Sequence, residues 1–292
     1  MAQFLIVEYW FAINKIKYHK YTFGVYMNFA INHMTAPHLS YRELINLAVK
    51  LNCTGVEVRN DIKNVLFNGL DPIEAGKIAA DKGIRIIGLS QIYPFNRWNK
   101  QREFELLELI KIAEAASAET ISLIPANDGI GCSENERKSN LNISLRAILP
   151  ILQNVNITAL IEPLGFMRSS LRSKIDVINA IKSINGENQF KLVHDTFHHA
   201  LAGGDLFPDS TGLVHISAVN EVDLKLVQME DMHRVIIDEQ DRLDNLGQLR
   251  NLKKGGYAGM VSYECFSPSV HSITNPYNTL KKSFEYILGN LN

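Results

Sequence analysis

Cysteine is scarce in this chain: three among 292 residues, Cys53, Cys132 and Cys265, widely spaced and without a CxxC pair. An odd, scattered set gives no disulfide framework and reads as the reduced thiols of a cytoplasmic protein. Charge of one sign is lacking as well. The formal net charge is −1, which gives no general electrostatic footprint for nucleic acid. No apolar run is long enough to span a bilayer, and neither a Ser-His-Asp nucleophile motif nor a phosphate-binding P-loop is visible. The first strand-to-helix turn, NFAINHMTAP, has no glycine, which argues against an open doubly wound sheet. What is present is an ordinary globular balance, 46% apolar and 21% charged, at a length that suits one large domain.

The N-terminus stands apart from that balance. Phe4 to Ile13 (FLIVEYWFAI) is apolar except for Glu8, and Lys15, Lys17 and Lys20 follow it. A secretory signal has its positive charge before the apolar stretch and a small-residue cleavage site after it, the reverse of this order. The expectation is that residues 1–26 form an extension outside the fold, arising from an upstream start codon, and that residues 27–292 form a single domain.

From Met27 onwards the sequence alternates short apolar runs with segments of helical spacing. The runs are Asn28–Asn32, Gly55–Arg59, Arg85–Leu89, Thr120–Ile124, Thr158–Ile161, Lys191–His194, Leu213–Ile216 and Met260–Tyr263. They are rich in Val, Ile and Leu and largely continuous, as expected of parallel strands buried on both faces. Between them lie helical patterns at Tyr41–Leu51, Ile73–Lys82, Phe104–Ala118, Leu141–Leu152, Ser173–Ile184, Leu246–Lys254 and Pro276–Leu288, with a short helical turn after Asp195. Ser40 and Glu43 are placed as a capping box, Asp71-Pro72 opens a helix, and Gly83 closes it. Eight strands and eight intervening helices predict a single (β/α)₈ barrel.

Four of the runs end in residues that bind metals: TALIEPLG in Glu162, FKLVHDTFHH in Asp195, GLVHISAV in His215 and GMVSYECFSP in Glu264. Parallel strands bring such ends to one rim, where barrel enzymes carry their chemistry. Taken singly, a strand-end carboxylate is often a salt-bridge partner or a helix cap, and a strand histidine is often a hydrogen-bonded core residue. Four on successive strands are hard to explain as independent accidents. Three carboxylates and one imidazole suit one divalent cation among Mn²⁺, Mg²⁺, Co²⁺ and Zn²⁺. Such a cation favours an enediolate at a carbonyl and its neighbouring hydroxyl, and two carboxylates can then move a proton between the two carbons. Glu162 and Glu264 are the candidates for that pair, with Asp195 and His215 as ligands alone.

Other rim residues carry less information. His198 is placed either to bond a substrate oxygen or to partner the Asp195 carboxylate. His194, one residue before Asp195, should point to the opposite face of its strand. Arg234, in the segment MHRVIID, is within reach of the rim, though a loop arginine is otherwise a solvated charge. His33, Glu57, Arg59, Phe95 and Trp98 also follow or end early strands. The Asn127-Asp128-Gly129 and Gly203-Gly204 segments read as turns.

The segments IEPLG, HDTFHHAL, VHIS and YECF resemble the xylose-isomerase-like barrel superfamily of sugar isomerases, ketose 3-epimerases, inosose dehydratases and endonuclease IV-type DNA-repair enzymes. The opening MNFAINHMTAPHLSYRELINLAVKLNCTGVEVRND and the stretch LIEPLGF…SSLRSK…LVHDTFHHALAGG are similar to the inosose (2-keto-myo-inositol) isomerases. The resemblance covers about residues 27–290. It implies Glu162, Asp195, His215 and Glu264 as metal ligands, Glu162 and Glu264 as the acid/base pair, and His198 and Arg234 as substrate contacts. It further implies a small polyol ketone or sugar as substrate, with no nucleic-acid or membrane partner; association into a homo-oligomer is left open. Two departures stand out: IDEQDRLDN replaces a Pro-Gly-x-Gly turn, and Glu221 occupies the place of an arginine found in the 3-epimerases. Asp231-x-His233 is similar to an additional metal motif of the DNA-repair branch, but the histidines which that branch needs on earlier strands are missing. An isomerase of polyol ketones is therefore expected. The alternatives are a dehydratase or 3-epimerase of the same superfamily, a DNA-repair enzyme, and a barrel that binds without turnover.

Overall fold

The computed structural model describes residues 27–62 and 65–291, so the expected extension at residues 1–26 lies outside the described residues. Eight parallel strands close into a barrel in sequence order, with β8 pairing back onto β1. The strands are β1 (Asn28–Asn32), β2 (Gly55–Arg59), β3 (Arg85–Ile92), β4 (Thr120–Leu123), β5 (Thr158–Ile161), β6 (Phe190–Asp195), β7 (Thr211–Ile216) and β8 (Met260–Tyr263). The helices are α1 (Tyr41–Lys50), α2 (Pro72–Asp81), α3 (Lys100–Ala115), α4 (Glu134–Leu152), α5 (Lys174–Ser183), α6 (Thr196–Ala202), α7 (Asn245–Lys254), α8 (Pro268–His271) and α9 (Tyr277–Asn290). The single (β/α)₈ barrel is thus present as expected.

Two helix starts differ from the expectation, and both differences come from caps. Helix α4 begins at Glu134, seven residues before Leu141, because Ser133 and Glu136 form a reciprocal capping box. Helix α3 begins at Lys100 rather than Phe104, because the Asn99 side chain accepts from the Arg102 N–H. In both cases the polar first turn lies beyond the apolar stripe. The Ser40–Glu43 capping box and the Asp71-Pro72 start appear where the sequence places them.

The barrel interior is layered. Its apolar floor is Ala30, Ile87, Leu160, Val193, Leu213 and Met260, all buried. Side chains on a strand alternate between faces, so a residue two places beyond the floor points inward again, one layer nearer the rim, except on β3, where a register shift after Ile86 turns Leu89 outward and Ser90 inward. That rule lifts Glu162 above Leu160, Asp195 above Val193 and His215 above Leu213. Met260 is followed inward by Ser262 and then by Glu264. The outward faces of the strands meet the helices in a larger apolar core that includes Ile31, Val56, Leu89, Ile121, Ile161, Leu192, Val214 and Tyr263. Among the described residues no helix is long and apolar enough to cross a membrane.

Candidate metal centre and active site

The four strand ends converge. One ligand atom from each of Glu162, Asp195, His215 and Glu264 lies within 4.8 Å of the others, and all four residues are buried. His215 Nδ1 stands 3.2 Å from Glu264 Oε2, 3.4 Å from Glu162 Oε1 and 4.0 Å from Asp195 Oδ2. Its other nitrogen, Nε2, faces Glu57 Oε2 at 3.1 Å. Both ring nitrogens therefore face carboxylates, which accept ring hydrogens on either side; with a cation in the cluster Nδ1 would give up its hydrogen and ligate, while the Nε2 hydrogen stays directed at Glu57. This carboxylate–imidazole arrangement is the usual means of presenting a histidine to a cation. Glu57 is the functional residue that the sequence reading left among weak rim positions. The alternation Gly55-x-Glu57 on β2 was the available signal, since it places Glu57 in the same interior layer as His215.

Asp195 serves two roles at once. Its Oδ1 accepts the His198 backbone N–H at 2.9 Å and caps α6, while Oδ2 turns to Arg234 and His215. The cap and ligand readings of this residue are therefore compatible. Gly165 of the IEPLG segment lets the β5 loop approach α6. A side-chain carbon there would meet the His198 carbonyl oxygen at 2.5 Å.

Arg234 is not a solvated loop arginine. Val235 beside it bridges to Ala218, and the Arg234 side chain is only 1% exposed. Its guanidinium donates to Glu264 Oε2 at 3.0 Å and also to Asp195 and Ser217. Arg59 donates to the other oxygen of Glu264, and the Asn32 amide adds a bond to the same oxygen at 3.2 Å. The surroundings therefore divide the two glutamates. Burial, reinforced by the neighbouring Glu264 charge, raises the Glu162 carboxyl above the usual carboxylate range. Burial alone would raise Glu264 too, but His215, Arg234 and Arg59 hold it well below that range. For His215, burial opposes a proton, yet Glu264, Glu57 and Glu162 together hold the imidazole well above its ordinary value.

The centre opens into a pocket of about 240 Å³, whose wall includes Gln91, Tyr93, Asn127, Phe166, His198, Asp231 and Phe266. His198 Nδ1 and Asn127 Oδ1 are buried without a hydrogen-bond partner. His198 therefore partners Asp195 through its backbone and leaves its ring for the pocket. His194 points to the opposite face, where it meets Lys174 and Gln248. His33 is bonded to the Leu39 carbonyl, Phe95 is fully buried, and Trp98 packs on the outer core. His233 accepts from the Glu230 backbone N–H and lies outside the cluster, so Asp231-x-His233 builds no second metal group among the described residues.

The donor set fits a divalent cation. Four buried carboxylates, including Glu57, face two guanidiniums and one imidazole, and the cluster has the oxygen-plus-imidazole composition of Mn²⁺, Mg²⁺, Co²⁺ or Zn²⁺ sites. The family model for the xylose isomerase-like TIM barrel matches residues 45–288, and the chain belongs to that family. Among curated proteins no significant sequence match is found. A xylose isomerase domain-containing protein of Salmonella typhimurium is similar at 26% identity and a TM-score of 0.82, over 92% of this chain and 99% of that one. The zinc-bound IOLI protein is 18% identical with a TM-score of 0.78, over 91% and 99% of the two chains. A D-psicose 3-epimerase of Clostridium cellulolyticum is 14% identical with a TM-score of 0.66, over 91% and 100%. Family and cluster together define a metal-dependent enzyme of the isomerase type, with a small sugar or ketone as substrate.

Proposed function

We propose that this enzyme isomerises a polyol ketone, and that its substrate is 2-keto-myo-inositol, whose carbonyl moves to the neighbouring carbon through an enediolate. The observation that carries the reading is that Glu162 and Glu264 meet at His215 Nδ1 in unequal company, with Arg59 and Arg234 paired to Glu264 and, among the described residues, neither to Glu162. A cation held by Glu162, Asp195, His215 and Glu264 would supply Lewis acidity to the carbonyl and its adjacent hydroxyl. Glu264, kept ionised by Arg59 and Arg234, takes the proton from the carbon that bears the hydroxyl. Glu162, whose burial raises its affinity for a proton, returns one to the former carbonyl carbon, the hydroxyl proton passes from one oxygen to the other, and proton exchange with solvent restores the two carboxylates. His198 and Asn127 bond the substrate oxygens with their unpartnered atoms. Arg234 holds Glu264 and Asp195 in place and offsets the negative charge that develops on the enediolate.

A proton NMR time course with 2-keto-myo-inositol in D₂O tests the proposal on the metal-loaded protein. Conversion to the neighbouring ketone supports it, and deuterium at the carbon beside the carbonyl supports proton exchange at the enediolate. Loss of water to a diketone would replace it with a dehydratase, and no reaction would remove this substrate.

A further inference from the structure

A second cavity, of about 370 Å³, lies outside the barrel mouth and shares no wall residue with the pocket above the metal centre. Its wall is formed by α4, the loop before α5, the start of α5 and the end of α6. It contains the Arg-Ser-Lys part of the SSLRSK segment, which the reaction does not use. Arg137, Lys138, Arg172 and Lys174 line it together with Asp176 and Asp205. Lys138 is paired with Glu134 at 2.6 Å, but the other three cations make no ion pair among the described residues.

The partners these three do have leave hydrogen-bond donors unused. Arg172 spends Nε and one Nη on the backbone carbonyls of Gly165 and Leu201. Arg137 spends one Nη on the Ser169 carbonyl, and its buried Nε has no partner. Lys174 is only 9% exposed, and its ammonium touches His194 Nδ1 at 2.7 Å and His199 Nδ1 at 3.1 Å. Gln248 fixes the first of these contacts. Its amide nitrogen donates to the Thr196 and Leu243 carbonyls, so its oxygen must accept from His194 Nε2, which leaves His194 Nδ1 as an acceptor. Lys174 thus has neutral partners only, and a buried cation without a countercharge is costly.

We propose that this cavity binds a phosphate-class oxyanion, gripped by Arg137, Arg172 and Lys174. Arg137 from α4, Arg172 from the loop and Lys174 from α5 line one cavity, and their unused donors suit the several oxygens of a phosphate better than the planar pair of a carboxylate; the anion also supplies the countercharge that Lys174 lacks. The α5 start assists. Ser173 caps the Asp176 N–H, so the first two helical N–H groups stay outside the helix's own ladder. The bound anion lies behind α6, whose opposite end begins at Asp195 and carries His198. The site is therefore separate from the reaction and joined to it through one short helix.

Calorimetric titration of the full-length, metal-loaded protein tests this, with inorganic phosphate and glycerol 3-phosphate in separate arms. One equivalent should bind. Arg137→Gln should weaken it at least about tenfold, and adding Arg172→Gln should weaken it further, with divalent-metal affinity unchanged in both as the check on folding. Asp195→Asn should leave phosphate binding intact. Tighter binding of the ester identifies a phosphorylated metabolite as the occupant, and tighter binding of inorganic phosphate identifies the free ion. No saturable binding, binding that Arg137→Gln leaves undiminished, or binding lost with Asp195→Asn would overturn the proposal.

Discussion

The two halves of the barrel contribute to the centre in different ways. Strands β5 to β8 each lead to a residue with a ligand atom in the cluster: Glu162, Asp195, His215 and Glu264. Strands β1 and β2 send no ligand, yet their inward residues hold those of the other half. Asn32 and Arg59 bond Glu264, and Glu57 bonds His215. Strands β3 and β4 place Ser90 and Ser122 inside, 3.2 Å apart and bonded to each other. One half supplies the donors and part of the other aims them, so the two kinds of residue should fail differently when changed.

The largest effect should come from removing proton transfer from the ligand half. Glu162→Gln or Glu264→Gln should lower turnover by several orders of magnitude, roughly 10² to 10⁴ from the lost acid or base alone. The circular dichroism spectrum should remain that of the intact barrel. Near-normal turnover in both variants would remove the two glutamates from the chemistry. Next in size, Glu57→Leu should leave the ligand set complete but the imidazole unaimed, weakening metal affinity about 10- to 100-fold. Glu57→Gln, whose amide oxygen can still accept from Nε2, should fall between that variant and the wild type. Equal affinities in all three proteins would make Glu57 a bystander.

A smaller effect concerns the outward face of β6, where Lys174 lies between His194 and His199. Burial pushes the Lys174 ammonium down to about 7, partly offset by the more distant Asp195 charge. Between that value and the ordinary lysine range the unfolded chain binds a proton that the folded one does not, so stability should rise with pH across that window. Lys174→Met should flatten the rise in thermal melts in phosphate-free buffer; an unchanged slope would show that the lysine keeps its charge when buried.

Much of this centre was legible in the sequence because a strand has a period of two. An apolar floor residue followed two places later by a carboxylate or imidazole marks Leu160–Glu162, Val193–Asp195 and Leu213–His215 without any coordinates. The same period sent His194 to the other face. Arg234 was harder to place, since nothing local shows that the Val235–Ala218 bridge draws its loop over the rim. Glu57 was missed as a positioning residue because its meaning depends on His215, 158 residues away. The starts of α3 and α4 were shifted because apolar spacing locates the buried stripe of a helix but not its polar first turn. The caps Asn99 and Ser133 were readable, yet they lie outside that stripe.

One cation held by four strand ends underlies this chemistry, and a Mn²⁺ titration followed by electron paramagnetic resonance is its test. One equivalent of Mn²⁺ should be lost from the free signal, with affinity that tightens as pH rises because the cation displaces a proton from His215. Asp195→Asn and His215→Ala should each abolish this uptake. Stoichiometric uptake that survives in both variants, or none in the wild type, would contradict the four-ligand site.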